Sequence, residues 1–153
     1  MYAPHEVTII NLHGGLPRPA LLRGVMLQAL DGRSANRRGM LDDADAVLYV
    51  PFSVKAEDAE GRALAFLPPL EYAALESPAG FWTLQPEGES AARCSFFVKG
   101  AHPEAVTLEE ARRRYDAVYV VAAYFIHDYG SAGLRHYEVR SRVRNRFYGL
   151  NNR

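Results

Sequence analysis

Apolar residues come in short runs rich in β-branched and aromatic side chains, each closed by Gly, Pro or Asp, which is the pattern of strands. The spacing predicts strands near Glu6–Leu12, Ala20–Leu30, Ala46–Phe52, Phe81–Gln85, Arg93–Val98, Ala117–His127 and Leu134–Arg142. Two short segments carry a helical pattern instead. The first, Pro69 to Glu76, follows a proline and stops before Pro78, with Leu70, Ala74 and Leu75 on one face. The second opens on Thr107-Leu108-Glu109-Glu110, the form of a capping box, and should run to about Tyr115.

Neither helix is long enough to cover a sheet, and strands do not alternate with helices, so a parallel α/β fold is not expected. The expected fold is mainly β: a small antiparallel β-barrel or sandwich with one or two short helices plugging gaps or ends. Two segments lack any sustained period and read as long loops, Asp31 to Asp43 and Lys55 to Ala65. Gly14-Gly15 is followed by Leu16-Pro17 and opens no helix, so it is a turn and not a phosphate cradle.

The stretch FIHDYGSAGLRHYEVR, Phe125 to Arg140, is where the pattern and possible chemistry meet. A four-residue loop over Gly130–Gly133 would set Asp128 opposite Arg135 and His127 opposite His136. Side chains alternate along a strand, so the polar cluster divides between two faces. One face gains an Asp128–Arg135 ion pair, the other a His127–His136 pair with Glu138 nearby. Two imidazoles and a carboxylate can ligate a metal, but no fourth ligand lies close in sequence, and the hairpin reading assigns no metal, cofactor or catalytic residue. Ser131, in YGSAG, precedes a strand rather than the helix that a nucleophile elbow requires. Cys94 lies on an apolar strand and reads as a buried, inert thiol.

Composition narrows the picture further. At 153 residues the chain suits one domain, and its 18 basic and 18 acidic residues cancel, which removes any overall attraction to nucleic acid or membrane. The charges are unevenly placed, however. Residues 41–80 hold eight acids against two bases, and residues 134–153 hold six arginines against one glutamate. This polarity suits head-to-tail association or an ordered stack of partners. The single cysteine, the lack of a signal-peptide core and apolar runs no longer than Ala117–Ile126 suggest a cytosolic site of synthesis and no membrane span.

The order of the segments carries a resemblance. GVMLQALDGRSANRRGMLDDADAVLYVPF, then YAALESPAGFWTLQP, FFVKG and YDAVYVVAAYFIHDYGSAGLRHYEV together resemble a family of minor capsid or head-to-tail connector proteins of tailed bacteriophages and prophages. The resemblance spans Glu6 to Arg140. It implies a structural protein of the virion neck with no enzymatic activity. Such a barrel would repeat as a homo-oligomeric ring beneath the portal, in contact with the portal or an adjacent connector and, through its loops, with packaged DNA. The expected organisation is one β-rich domain over residues 1–140 and a basic tail over 141–153. Candidate partner-binding residues are Arg33, Arg37 and Arg38 in the first long loop and Arg142, Arg144 and Arg146 in the tail, which is expected to act as a docking arm ordered on assembly. The alternative function is a nucleic-acid-binding small β-barrel, with Tyr124, Tyr137 and Phe147 stacking bases. An enzyme built on His127, His136 and Glu138 ranks third.

Overall fold

A computed structural model describes residues 3–30, 44–88 and 93–144. Nine strands form among the described residues: β1 (His5–His13), β2 (Leu16–Ala29), β3 (Ala46–Pro51), β4 (Lys55–Glu57), β5 (Ala65–Phe66), β6 (Phe81–Trp82), β7 (Phe96–Lys99), β8 (Tyr119–His127) and β9 (His136–Val143). Among the same residues two α-helices interrupt them, α1 (Pro69–Ala73) and α2 (Leu108–Arg114). The main sheet runs β1-β7-β8-β9-β3-β2 and closes because β2 also pairs with β1, giving a six-stranded antiparallel barrel with β4 added beside β2. The mainly β, antiparallel class expected from the sequence is therefore the fold, and of the two expected forms, barrel or sandwich, it is the barrel.

Closure depends on β2, which pairs with β1 along its first part and with β3 along its last four residues. Gly24 marks the change of partner. His5 faces Val25 and Glu6 faces Arg23, so Gly24 is the extra residue of a β-bulge, at a φ of 84° that a side chain would resist. The β1–β2 turn is Gly14-Gly15, both at positive φ, as a two-residue hairpin requires. β2 begins earlier than the sequence pattern predicts and passes through Pro17 and Pro19. Both sit ahead of the short β4 pairing at Leu21–Arg23, where the missing N–H groups cost no ladder bonds.

The barrel interior is filled by Val7, Ile9, Leu22, Val25, Leu48, Val50, Trp82, Leu84, Phe97, Val121 and Val139. A second core lies on the outer face of β1, β7 and β8, where Ile10, Phe96, Val98, Val118 and Val120 meet Val106 and Ala111. These strands are thus buried on both faces, which explains why their sequences run continuously apolar. The seven-residue α2 covers this face, contrary to the expectation that neither helix could cover a sheet; the small Ala111 lets it lie close, and Leu108 and Tyr115 extend the contact. Its start is the capping box read from the sequence: the Glu110 amide donates to the Thr107 hydroxyl, and the Thr107 amide donates to the Glu110 carboxylate.

Other expectations are corrected. Residues 55–65 are not one loop: β4 and the start of β5 occupy its ends, and the Asp58 carboxylate ties the turn by accepting from the Glu60 and Arg62 amides. On α1 the proposed apolar face is wrong, since Leu70 is 86% exposed and Tyr72 is the buried residue. The strand predicted over Phe81–Gln85 is only two residues long and pairs parallel with β5. Beyond it, side chains replace the missing ladder. Buried Asn11 donates to the Thr83 carbonyl and accepts from its amide, while the Ser95 hydroxyl accepts from the Gln85 amide. Finally, β9 extends to Val143, so the residues expected to begin a free tail belong to the barrel. Ser141 is fully buried, its hydroxyl donates to the Ala46 carbonyl, and its own carbonyl accepts from the Asp45 amide.

Candidate functional site

The end of the barrel formed by the β8–β9 hairpin gathers most of the distinctive chemistry. Cross-strand pairing sets Phe125 against Glu138, Ile126 against Tyr137 and His127 against His136, the histidine register that the sequence predicts. Directly paired residues share a face, so His127, His136, Glu138, Phe125 and Arg140 lie together. The two imidazoles stack with centroids 4.7 Å apart, and His127 Nε2 is 3.1 Å from Glu138 Oε1. Arg140 donates through Nε to Glu138 Oε2 at 2.9 Å, and its guanidinium lies 5.6 Å from the Phe125 ring centroid. The loop is closed by the expected Asp128–Arg135 ion pair at 3.4 Å and by Gly130 at a φ of 83°.

The same hairpin displays apolar surface. Seven large hydrophobic residues are exposed among the described residues, and five of them, Phe52, Phe125, Ile126, Tyr129 and Leu134, lie at this one end. Phe52 belongs to it because its amide donates to the Arg135 carbonyl and its ring packs on Tyr137 at 4.8 Å. Sequence reasoning missed this surface. The signal was available in Phe125-Ile126, which continue an apolar run past the part of β8 that β7 covers.

On the inward face, Tyr124 and Tyr137 pack around Phe66 and Trp82, with Tyr137 4.5 Å from Phe66. Burial pushes both phenols above their ordinary value, Tyr124 and Asp128 adding to the effect on Tyr137. The tyrosines assigned to base stacking in the nucleic-acid reading are therefore engaged inside an aromatic cluster. Phe147, the third of that set, lies outside the described residues.

Of the candidate partner-binding arginines, Arg33, Arg37, Arg38 and Arg146 also lie outside the described residues. Arg142 and Arg144 are on the barrel and converge on one carboxylate: Arg142 pairs with Glu87 through Nη1, and Arg144 Nη2 is 3.5 Å from the other Glu87 oxygen. Glu87 is itself held by its amide, which donates to the Val121 carbonyl. The two arginines thus pin the end of β9 to the segment after β6. Nothing local in the chain points to Glu87 as their partner, since 55 residues separate it from Arg142.

Cys94 is buried, and burial pushes its thiol up to about 11, as suits the inert role read from the sequence. A cleft of about 580 Å³ lies beside α1, lined in part by Arg18, Asp58, Glu60, Arg62 and Tyr72. Its acids are largely taken up locally, Asp58 and Glu60 both pairing with Arg62. No helix among the described residues is long and apolar enough to cross a membrane. No family model, curated protein or solved structure matches the chain.

Proposed function

We propose that this chain is an assembly module, a minor capsid or head-tail connector component that joins the portal-bearing head of a tailed phage or prophage to its tail. One observation carries the reading: five of the seven exposed large hydrophobic residues among those described crowd one hairpin end of a closed barrel. Large apolar side chains left exposed together, here on both faces of one hairpin end, are of the aromatic and aliphatic kind that anchor protein interfaces. The resemblance in segment order supplies the setting, with the portal or an adjacent connector as the occupant of the patch and a ring of copies as the assembled form. Barrel closure supports it as well, because a closed sheet has fewer free edges through which copies could aggregate before assembly.

The internal packing of Tyr124 and Tyr137 weakens the nucleic-acid alternative, which needs aromatic faces open to bases. Contacts with DNA would then be made by loop and tail arginines, as sequence-independent phosphate contacts. The test is genetic. Deleting the gene from an inducible phage that carries it should leave heads that fail to join tails, as seen by electron microscopy. Normal yields of infectious, tailed particles after deletion would overturn the reading.

A further inference from the structure

We propose that His127, His136 and Glu138 form a binding site for one divalent transition-metal ion of the zinc class. Each residue offers a ligand atom, and the three atoms lie within 4.8 Å of one another. A tetrahedral zinc ion sits ~2.0–2.1 Å from its nitrogen and oxygen ligands, so its donors must approach to about 3.4 Å. Small rotations of three half-buried side chains on one strand pair would achieve this. The hairpin backbone already fixes their register.

The outer atoms of the ligands carry the case beyond simple proximity. His136 Nδ1 is 2.8 Å from the Leu134 carbonyl, an acceptor only, so Nδ1 holds the proton of the neutral ring and the Nε2 lone pair is left for an ion. His127 Nδ1 is 3.1 Å from the Tyr129 hydroxyl, which can donate or accept. His127 can therefore switch from donating through Nε2 to Glu138 to donating through Nδ1 to Tyr129, so that Nδ1 keeps its partner and a bound ion takes the place of the bond given up between Nε2 and Glu138. The far oxygen of Glu138 is held by Arg140, which orients the carboxylate and leaves Oε1 facing His127. Metal-binding histidines and carboxylates are held from behind in this way, and here all three are.

The ligand set decides the class of ion. Two imidazoles with one carboxylate suit zinc, copper or nickel rather than magnesium or calcium, which favour all-oxygen shells. Sequence alone sets a metal aside for want of a fourth ligand, but three protein ligands with a water in the fourth position is an established zinc arrangement. The ion would clamp β8 to β9 where the strands leave the barrel, and the barrel core does not depend on it. The inference stands apart from the connector reading, since it rests on the hairpin's own side chains.

Isothermal titration and native mass spectrometry of the full chain with zinc chloride provide the test, with Co²⁺ as a spectroscopic probe. The wild type should bind one zinc per chain, removable by EDTA without unfolding, and Co²⁺ should give visible bands of low coordination number. His136→Gln should abolish stoichiometric binding, and Tyr129→Phe should weaken it about tenfold or more. His102→Gln, which alters a histidine packed on Tyr115 elsewhere, should leave binding intact. Absence of stoichiometric zinc in the wild type would overturn the proposal, as would equal binding by wild type and His136→Gln when circular dichroism shows both folded.

Discussion

Replacing Asn11 by leucine removes the side chain that stands in for a missing strand pairing. Asn11 is 1% exposed and Thr83 is fully buried. The Asn11 Nδ2 donates to the Thr83 carbonyl at 2.7 Å and to the Ser95 hydroxyl at 2.8 Å, and its Oδ1 accepts from the Thr83 amide at 3.0 Å. Leucine keeps the branched shape and the number of non-hydrogen atoms, but its methyl groups are bulkier than the amide oxygen and nitrogen, so no cavity opens and a packing cost adds to the polar loss. Ser95 keeps Gln85 as a partner, with its hydroxyl 3.2 Å from Gln85 Oε1, whereas both Thr83 backbone groups lose their Asn11 bonds at a buried position. Each such orphan costs about 1–3 kcal/mol. Burying an apolar side chain offsets roughly 2 kcal/mol, leaving an expected net loss of about 2 kcal/mol. Urea unfolding followed by Trp82 fluorescence reads it directly. With a slope of about 1–3 kcal/mol/M the midpoint should fall by roughly 1–2 M at unchanged slope. Arg62→Ala, which removes only exposed ion pairs, should move stability by about 0.5 kcal/mol or less. A loss below about 1 kcal/mol for Asn11→Leu would refute the view that side chains substitute here for the ladder.

Two further outcomes follow from burial and backbone geometry. Burial raises Cys94 from 9.0 to about 11 and Tyr72 from 10.0 to about 12, so the unfolded chain loses these protons first as pH rises. Their contribution is intact below about pH 9 and is lost between about pH 9 and 12, at roughly 1.4 kcal/mol per pH unit for each group titrating in the unfolded chain only. Chemical denaturation across that range checks it; stability unchanged from pH 8 to 11 would contradict it, and Cys94→Ala should remove the portion that begins near pH 9. Gly24→Ala should cost about 1–2 kcal/mol, because the bulge holds φ at 84° while no atom crowds the added methyl. Gly88→Ala, at ordinary φ and in open space, should be neutral or slightly stabilising in the same thermal melts.

What was legible in the sequence was local. Gly14-Gly15 could only be a turn, Thr107 and Glu110 spell out their reciprocal cap, and the loop between His127 and His136 sets a register that leaves little choice. The strand class followed from the same short-range patterns. Closure was not legible as such, because pairing of β1 with both β2 and β7 depends on contacts about 90 residues apart, such as Thr8 with Gly100. The extension of β2 was hidden by Pro17 and Pro19, which signal a turn unless the free edge beside them is known. Ser141 to Val143 read as a charged tail because alternate arginines look solvated, when Ser141 faces the core and Glu87 waits across the barrel surface. The site was half visible: its histidines and glutamate were identified, while Tyr129 and Arg140, which hold them from behind, and the apolar residues around them became meaningful only with the hairpin in place.

The most direct measurement of the assembly reading is sedimentation velocity of the full chain with the portal oligomer encoded by the same phage genome. The wild type should co-sediment with the oligomer, and the Phe125→Thr/Tyr129→Asp double variant should not, while its urea midpoint stays close to the wild-type value because both side chains are exposed and no carboxylate is set opposite Glu138. Co-sedimentation of the double variant as efficient as that of the wild type would contradict docking through the hairpin end, and failure of the wild type to associate with the portal or the adjacent connector would contradict the connector role itself.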